Sequence, residues 1–501
     1  MDKSIWVDHL NSWQRFLEQM ASLTVDERQR IRLERQLNTI EQVRNAAVLN
    51  PVVLAQFISP TAVSADEYPC DEFFFDLNES QKKAVRHALG NNCLTLIQGP
   101  PGTGKTQVIA EVCLQLHKRN PQVRILVCSE THVAVNNLVS RIAKENKEIR
   151  IVRIRDYEKD SSIDAFAPEI ILNAYLSWAS ANIVNKDAFD IIASGLSNPE
   201  DKSLEKALAL SANVVGMTCN RVSAYNFRDR TEMFDYVIID EVCKATLPDI
   251  LGPMLIAEKA ILIGDPKQLP PVFCAEERAV IQNIENCNLI NYLYIDRLFK
   301  ISKHVILLNT QYRMSKQIAA LISDLFYREE GIKDGRNQAT KSALTWIDYN
   351  PSQKWPDPNE ENKDSPEIYN SDECEIISKQ VESILAIWDT ETCDTETCDT
   401  ETKIAVIAPY KAQVDMLRKV IKESNQVKID SVDGFQGKQS HVVIFSITRT
   451  YGPFRFLADY RRLNVALSRA KDRIVIVGNS EYSDQNRLLF AIRRRCEYLK
   501  Y

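Results

Sequence analysis

Residues 98–106 read Gln-Gly-Pro-Pro-Gly-Thr-Gly-Lys-Thr. Gly99, Gly104, Lys105 and Thr106 satisfy G-x-x-x-x-G-K-[ST], a spacing in which glycines let backbone N–H groups wrap a polyphosphate. The candidate cradle is Gly99, Pro100, Pro101, Gly102, Thr103 and Gly104. Lys105 is placed to reach the β- and γ-phosphates and Thr106 to ligate Mg²⁺. A helix beginning after the loop adds partial positive charge at its N-terminus.

A hydrolase needs more than a cradle. The run Tyr236-Val-Ile-Ile-Asp-Glu241 is an apolar strand pattern ending in two acids. Carboxylates at the C-terminal end of such a strand point into the ligand crevice of an α/β sheet. Asp240 is the candidate Mg²⁺ carboxylate. Glu241 is the candidate base that orients and deprotonates water, which separates a hydrolase from a passive binder. Gln268, in Gly264-Asp-Pro-Lys-Gln-Leu-Pro270, sits just past a strand end, where its amide could touch a γ-phosphate. Arg313, in Gln311-Tyr-Arg-Met314, and Arg469, in Asn464-Val-Ala-Leu-Ser-Arg469, fall later in the chain. Arginines delivered from a second domain stabilise charge on a transferring phosphoryl group.

Several elements must carry these residues. Short β-rich apolar runs recur with helical patterns between them, at 93–97, 125–128, 214–217, 236–239 and 260–263. A second set is read at 305–308, 404–407, 442–447 and 474–477. Such runs are how buried parallel strands look, so the fold class is α/β with two sheets in tandem. A helix is expected over 107–117, after the phosphate loop. Residues 1–50 read as helical, with Thr24 and Glu27 in a capping-box pattern ahead of Ile31, Leu37, Ile40, Val43 and Ala47. The expected domains are a helical arm at 1–75, a first α/β domain at 76–300 and a second at 301–501. The second carries an acidic, disordered insert around 351–402, which contains a tandem Asp-Thr-Glu-Thr-Cys repeat.

Composition narrows the class. The 501 residues are 45% apolar and 26% charged, which excludes a disordered tail, a collagen and a disulfide miniprotein. No apolar run approaches the roughly 18 residues of a membrane span, and no membrane partner is expected. The start shows no secretory h-region, and the twelve cysteines include no C-x-x-C pair. The reading is an intracellular protein with reduced thiols, cytoplasmic or nuclear. Net charge is −6, but residues 351–402 carry −12 and residues 403–501 carry +10. A basic C-terminal region suits a face that meets polyanions.

Taken in chain order, these motifs resemble superfamily 1 helicases. The nearest subgroup is that of the nonsense-mediated-decay and immunoglobulin-mu-binding helicases, with the senataxin and Dna-two types. The resemblance is carried by Leu77-Asn-Glu-Ser-Gln81, the phosphate loop, 127–138, 212–219, 240–246, 264–272, Gln311–Met314, Ser431-Val-Asp-Gly-Phe-Gln-Gly437 and Arg461-Arg-Leu-Asn-Val-Ala-Leu-Ser-Arg-Ala470. It implies two tandem RecA-like P-loop NTPase domains and a monomer that hydrolyses ATP with Mg²⁺. It further implies movement along single-stranded RNA or DNA, 5′→3′. Gln81 would read the adenine edge and Tyr312 would stack near the base. Gln268 would couple the γ-phosphate to motion, and Arg313 and Arg469 would be arginine fingers. Thr131, Thr218 and Ser431 would contact the nucleic-acid backbone. Four positions depart from the family pattern. Lys244 replaces a Gln, Gln439 stands where a ribose-facing acid is usual, and Glu130 and His132 replace Pro and Asn. Of these, Lys244 and Gln439 leave open an ATP-gated clamp or scaffold with weak hydrolysis. A protein-remodelling P-loop ATPase is a further alternative.

Overall fold

Runs of Val, Ile and Leu that are apolar on both faces need a sheet covered on both sides. The computed structural model contains two such sheets and describes residues 3–45, 47–59, 66–155, 165–182, 203–224, 233–284, 294–336, 343–356, 367–391, 402–435 and 437–501. The chain divides into two compact units. The first comprises Met1–Gly99, Gly104–Pro266 and Pro270–Leu308. The second comprises Pro100–Thr103, Lys267–Leu269 and Asn309–Tyr501.

The first unit holds a seven-stranded, all-parallel sheet. Its strands are β1 (Leu94–Gln98), β2 (Ile125–Ser129), β3 (Ile151–Arg153), β4 (Val214–Thr218), β5 (Phe234–Asp240), β6 (Ala257–Gly264) and β7 (Val305–Leu307), in the order β3-β4-β2-β5-β6-β1-β7. The phosphate-loop strand β1 and the acid-bearing strand β5 are therefore separated by one strand, β6. Side chains alternate across the sheet. Ile97, Val127, Ile238 and Ile261 fill one core, and Leu96, Val237, Ile239 and Leu262 fill the other.

Three N-terminal helices, Lys3–Leu23, Glu27–Arg44 and Pro51–Ile58, pack into the second of these cores. Tyr294 is their aromatic anchor, 5.2 Å from the Trp6 ring and 5.0 Å from Phe57. Its hydroxyl donates to the Phe57 carbonyl at 2.9 Å. The expected Thr24–Glu27 capping box does not form. Asp26 caps the second helix, accepting from the Arg28 and Gln29 N–H groups, while the Thr24 hydroxyl bonds back to Met20 O at 2.7 Å. A charged carboxylate outcompetes a hydroxyl that has a carbonyl within reach. The lead-in segment docks on the phosphate-loop helix, where Glu111 accepts from the Phe74 and Phe75 N–H groups.

The second unit holds a six-stranded parallel sheet. After a small parallel pair, β8 (Thr310–Gln311) and β9 (Lys333–Asp334), come β10 (Leu344–Asp348), β11 (Ile404–Ala408), β12 (Val427–Ser431), β13 (Ser440–Ser446), β14 (Ala470–Val477) and β15 (Glu497–Lys500). The order in the larger sheet is β12-β11-β13-β14-β10-β15.

Two further expectations change. Val305–Leu307, read with the second strand set, pairs with β1 in the first sheet, Leu96 against Val305. The acidic stretch is not disordered throughout, because Ser371–Glu391 is a helix that buries Cys374, Ile376, Ile377, Val381 and Ile384. These apolar positions lie between the acids at helical spacing and supply the buried face. The tandem repeat over 392–401, with Cys393 and Cys398, lies outside the described residues. Among the described residues, no helix is long and apolar enough to cross a membrane.

Candidate nucleotide site and nucleic-acid contacts

The C-terminal ends of the first sheet's strands collect the chemistry of the first unit. β1 runs into the phosphate loop, and the helix Lys105–Arg119 starts directly after it. Gly104 is the N-cap at φ +80°, and Gly102 has φ +75°. A side chain there would be strained, and at Gly104 a Cβ would stand 2.5 Å from Gln81 Nε2. At Gly99 a Cβ would stand 2.3 Å from Lys105 Cγ, so the lysine folds across bare backbone. Its ammonium donates to Gly99 O at 2.5 Å. The loop is a cradle that only glycine permits, which fits a polyphosphate.

Gln81 lies against this loop at the start of the helix Glu79–Leu89. It is buried, and its Oε1 accepts from Asn78 N–H at 3.0 Å in a capping box.

Asp240 ends β5 and is buried. Burial pushes its carboxyl up to about 6, with the Glu241 charge adding to that and Lys105 opposing. A divalent cation would relieve this state, and the Thr106 hydroxyl and Asp240 carboxylate are the hard oxygen donors Mg²⁺ takes. Glu241 follows at φ +53°. A non-glycine residue in that region costs about 1–2 kcal/mol and is typical of functional sites. Its N–H donates to Asp240 Oδ1 at 2.8 Å, fixing the two acids against each other. Gly264, ending β6, leaves room for the turn after them. A Cβ there would come 2.9 Å from Cys243 Sγ and Val242 Cγ1.

Thr131 and Thr218 sit on the same edge. Ser129 registers with both Thr218 and Asp240, and Thr131 caps the helix His132–Glu145 through Ala134 N–H. The neighbouring departures have partners. His132 Nδ1 lies 3.0 Å from Arg153 Nη2. Glu130 Oε1 lies 3.7 Å from Arg32, which also pairs with Asp249 at 3.3 Å. Burial pushes the Glu130 carboxyl up to about 8, with Asp249 adding to that and Arg32 and Lys244 opposing.

The second unit gathers Gln268, Tyr312, Arg313 and Arg469. Arg469 is buried, donates Nε to Val465 O at 2.9 Å and Nη2 to Gln268 Oε1 at 3.1 Å. Arg313 Nη1 reaches Ser468 O at 3.2 Å. Tyr312 is exposed, and its N–H donates to Gly102 O at 2.8 Å, within the same unit. Gln311 shapes this turn, its Oε1 accepting from Arg313 and Met314 N–H and its Nε2 donating to Asp334. Ser431 ends β12 and accepts from Gly434 N–H at 3.2 Å. Gln439 is exposed just before β13.

Sequence reasoning missed Gln311 as a shaping residue, although its motif was in view. It also missed Arg32, Asp249 and Arg336, which belong to no motif. Their partners are 98 or more residues away for Arg32 and 23 to 136 away for Arg336.

Comparison with known proteins gives the family. Two models, each described as an AAA domain, match residues 76–188 with 193–276, and 291–481. The chain is 31% identical over 468 residues to the DNA polymerase alpha-associated DNA helicase A of Saccharomyces cerevisiae, covering 81% of this chain and 65% of that protein. It is 29% identical to mouse DNA-binding protein SMUBP-2, covering 90% of this chain and 47% of the relative. A Neurospora crassa regulator of nonsense transcripts 1 homolog is 30% identical, covering 81% and 37%. The chain thus spans less than two thirds of each of these three relatives. With this α/β fold and these motifs, it belongs to the superfamily 1 helicases, in the subgroup of nonsense-transcript regulators and immunoglobulin-mu-binding helicases.

Proposed function

We propose that the chain is an ATP-dependent motor that hydrolyses ATP with Mg²⁺ to move along single-stranded RNA or DNA, 5′→3′, separating or remodelling duplexes. The observation that carries this is the Asp240–Glu241 pair, held in a strained turn one strand away from the glycine cradle of Lys105. Mg²⁺, held by Thr106 and Asp240, would supply charge neutralisation on the β- and γ-phosphates. Lys105 leaves Gly99 O for the phosphates, while Gln81 reads the adenine and Tyr312 stacks near it. Glu241 orients the attacking water and takes its proton. Gln268 senses the γ-phosphate, and Arg313 and Arg469 of the second unit stabilise the transferring phosphoryl group. Thr131, Thr218 and Ser431 hold the phosphate backbone of the strand, and each turnover steps the two units along it.

Glu241→Gln tests the reading. It keeps the side chain's size but removes the base, so nucleotide binding persists while turnover falls about 10²- to 10⁴-fold. Full turnover in this variant rejects the water role. A wild-type rate that ignores added single strand favours an ATP-gated clamp.

A further inference from the structure

Arg336 belongs to no helicase motif, yet its guanidinium touches the backbone of both arginine-bearing segments. Nη1 donates to Arg313 O at 2.8 Å and to Lys471 O at 3.0 Å. Nη2 donates to Asp472 Oδ1 at 2.6 Å, and Asp472 Oδ2 lies 2.5 Å from His441 Nδ1. Lys471 stands two residues after Arg469, at the start of β14. Two further bonds bridge the same segments, Ser315 N to Lys471 O at 2.7 Å and Arg313 Nη1 to Ser468 O at 3.2 Å.

The small β8–β9 pair delivers this residue. Gly335 N–H donates to Gln311 O at 2.8 Å, and Asp334 Oδ1 accepts both Arg336 N–H and Gln311 Nε2. A Cβ at Gly335 would stand 2.5 Å from the Tyr312 ring, so the chain approaches Tyr312 at a glycine and then sends the Arg336 side chain under Arg313. A planar fork meets three fixed acceptors at once, whereas an ammonium is a point donor.

We propose that Arg336 is a positioning residue for phosphoryl transfer, stapling the Arg313 turn to the start of β14 so that Arg313 and Arg469 keep one relative placement. The inference rests on the arginine-finger reading above. It adds that the placement depends on a guanidinium outside every motif. Arg336 acts through Arg313, and a displacement of about 1 Å in a charge-stabilising group costs on the order of 100-fold in rate.

The test is a double-mutant cycle on strand-stimulated ATP hydrolysis, read together with KM for ATP and thermal midpoint. Arg336→Ala should lower kcat roughly 10- to 100-fold with KM within about twofold. Arg336→Lys should not restore the rate, because charge without the fork leaves an acceptor unmet. Arg313→Ala with Arg336→Ala should be no slower than Arg313→Ala alone. Should Arg336→Ala fail to fold, Asp472→Asn, which loosens the same guanidinium, carries the same cycle. If Arg313→Ala and Arg469→Ala lose turnover while Arg336→Ala and Asp472→Asn keep kcat, the staple is wrong. If those two arginine variants turn over normally, the arginine-finger reading fails and the staple with it. Losses that multiply in the double variant would make Arg336 merely structural and overturn the proposal.

Discussion

Glu130 shows how one residue's environment settles what its letter cannot. A glutamate beside Thr131 should repel phosphate if the proposed strand contact is made there, but burial holds its carboxyl at about 8 despite Arg32 and Lys244, with Asp249 and Glu241 pushing the same way as burial. Burial thus favours its protonated form near neutrality, and the carboxyl charges as pH rises through about 8. Single-strand affinity should fall between pH 7 and 9 in the wild type, and titrations of Glu130→Gln over that range should be flatter. An equal slope in both proteins would remove Glu130 from the strand path. Lys105→Ala should abolish ATP hydrolysis, as an assay of released phosphate would read directly. Lys105, Thr106, Asp240 and Glu241 were legible because their chemistry lies in short contiguous motifs. Arg32 and Arg336 were not, since each acts on partners that only the folded chain brings near.

Elements were legible where a strand is buried on both faces and less so at the margins. β2, β5 and β11 read as continuous apolar runs and are buried nearly throughout. β12 is Val-Lys-Ile-Asp-Ser with Lys428 exposed, and β15 is exposed along its length, so neither presents an apolar run. β7 is three residues long, and its place is decided by pairing with β1 rather than by its own sequence. The helix Ser371–Glu391 was hidden by its acids. It begins at a buried network in which Glu373 accepts from Ser446 Oγ at 2.6 Å, Thr448 N at 2.9 Å and Tyr349 OH at 3.1 Å. Burial pushes the Glu373 carboxyl up to about 7, against those hydrogen bonds. Unfolded, it titrates near the ordinary value of about 4.3. Between these values the folded chain binds the extra proton, so this group's contribution to stability falls as pH rises through the window and is flat above it. The urea midpoint of Glu373→Gln should therefore depend less on pH between 5 and 7 than that of the wild type. At the first helices, Asp26→Ala should cost about 1 kcal/mol by the same measurement, and Thr24→Ala should cost less.

The whole molecule comprises two α/β units, each with its own parallel sheet, and in the proposed function each supplies part of one reaction. The first holds Gly99, Gly104, Lys105, Asp240 and Glu241, and the second holds Pro100–Thr103, Arg313, Arg469 and a basic C-terminal region of +10. The two α/β sheets were legible as two sets of strand patterns. What the −12 stretch packs against did not follow, because its apolar face emerges only when 371–391 is wound into a helix. If the second unit grips phosphates, affinity for a single strand should fall steeply with salt, at about 0.7 counterions per phosphate contact. In the proposed motor, strand binding and ATP hydrolysis belong to one cycle. The most direct measurement is the steady-state ATPase rate with and without single-stranded RNA or DNA, for the wild type and Glu241→Gln. The rate should rise with added strand in the wild type and stay near background in the variant. A wild-type rate indifferent to both strands, or a variant that keeps pace with it, would contradict the account.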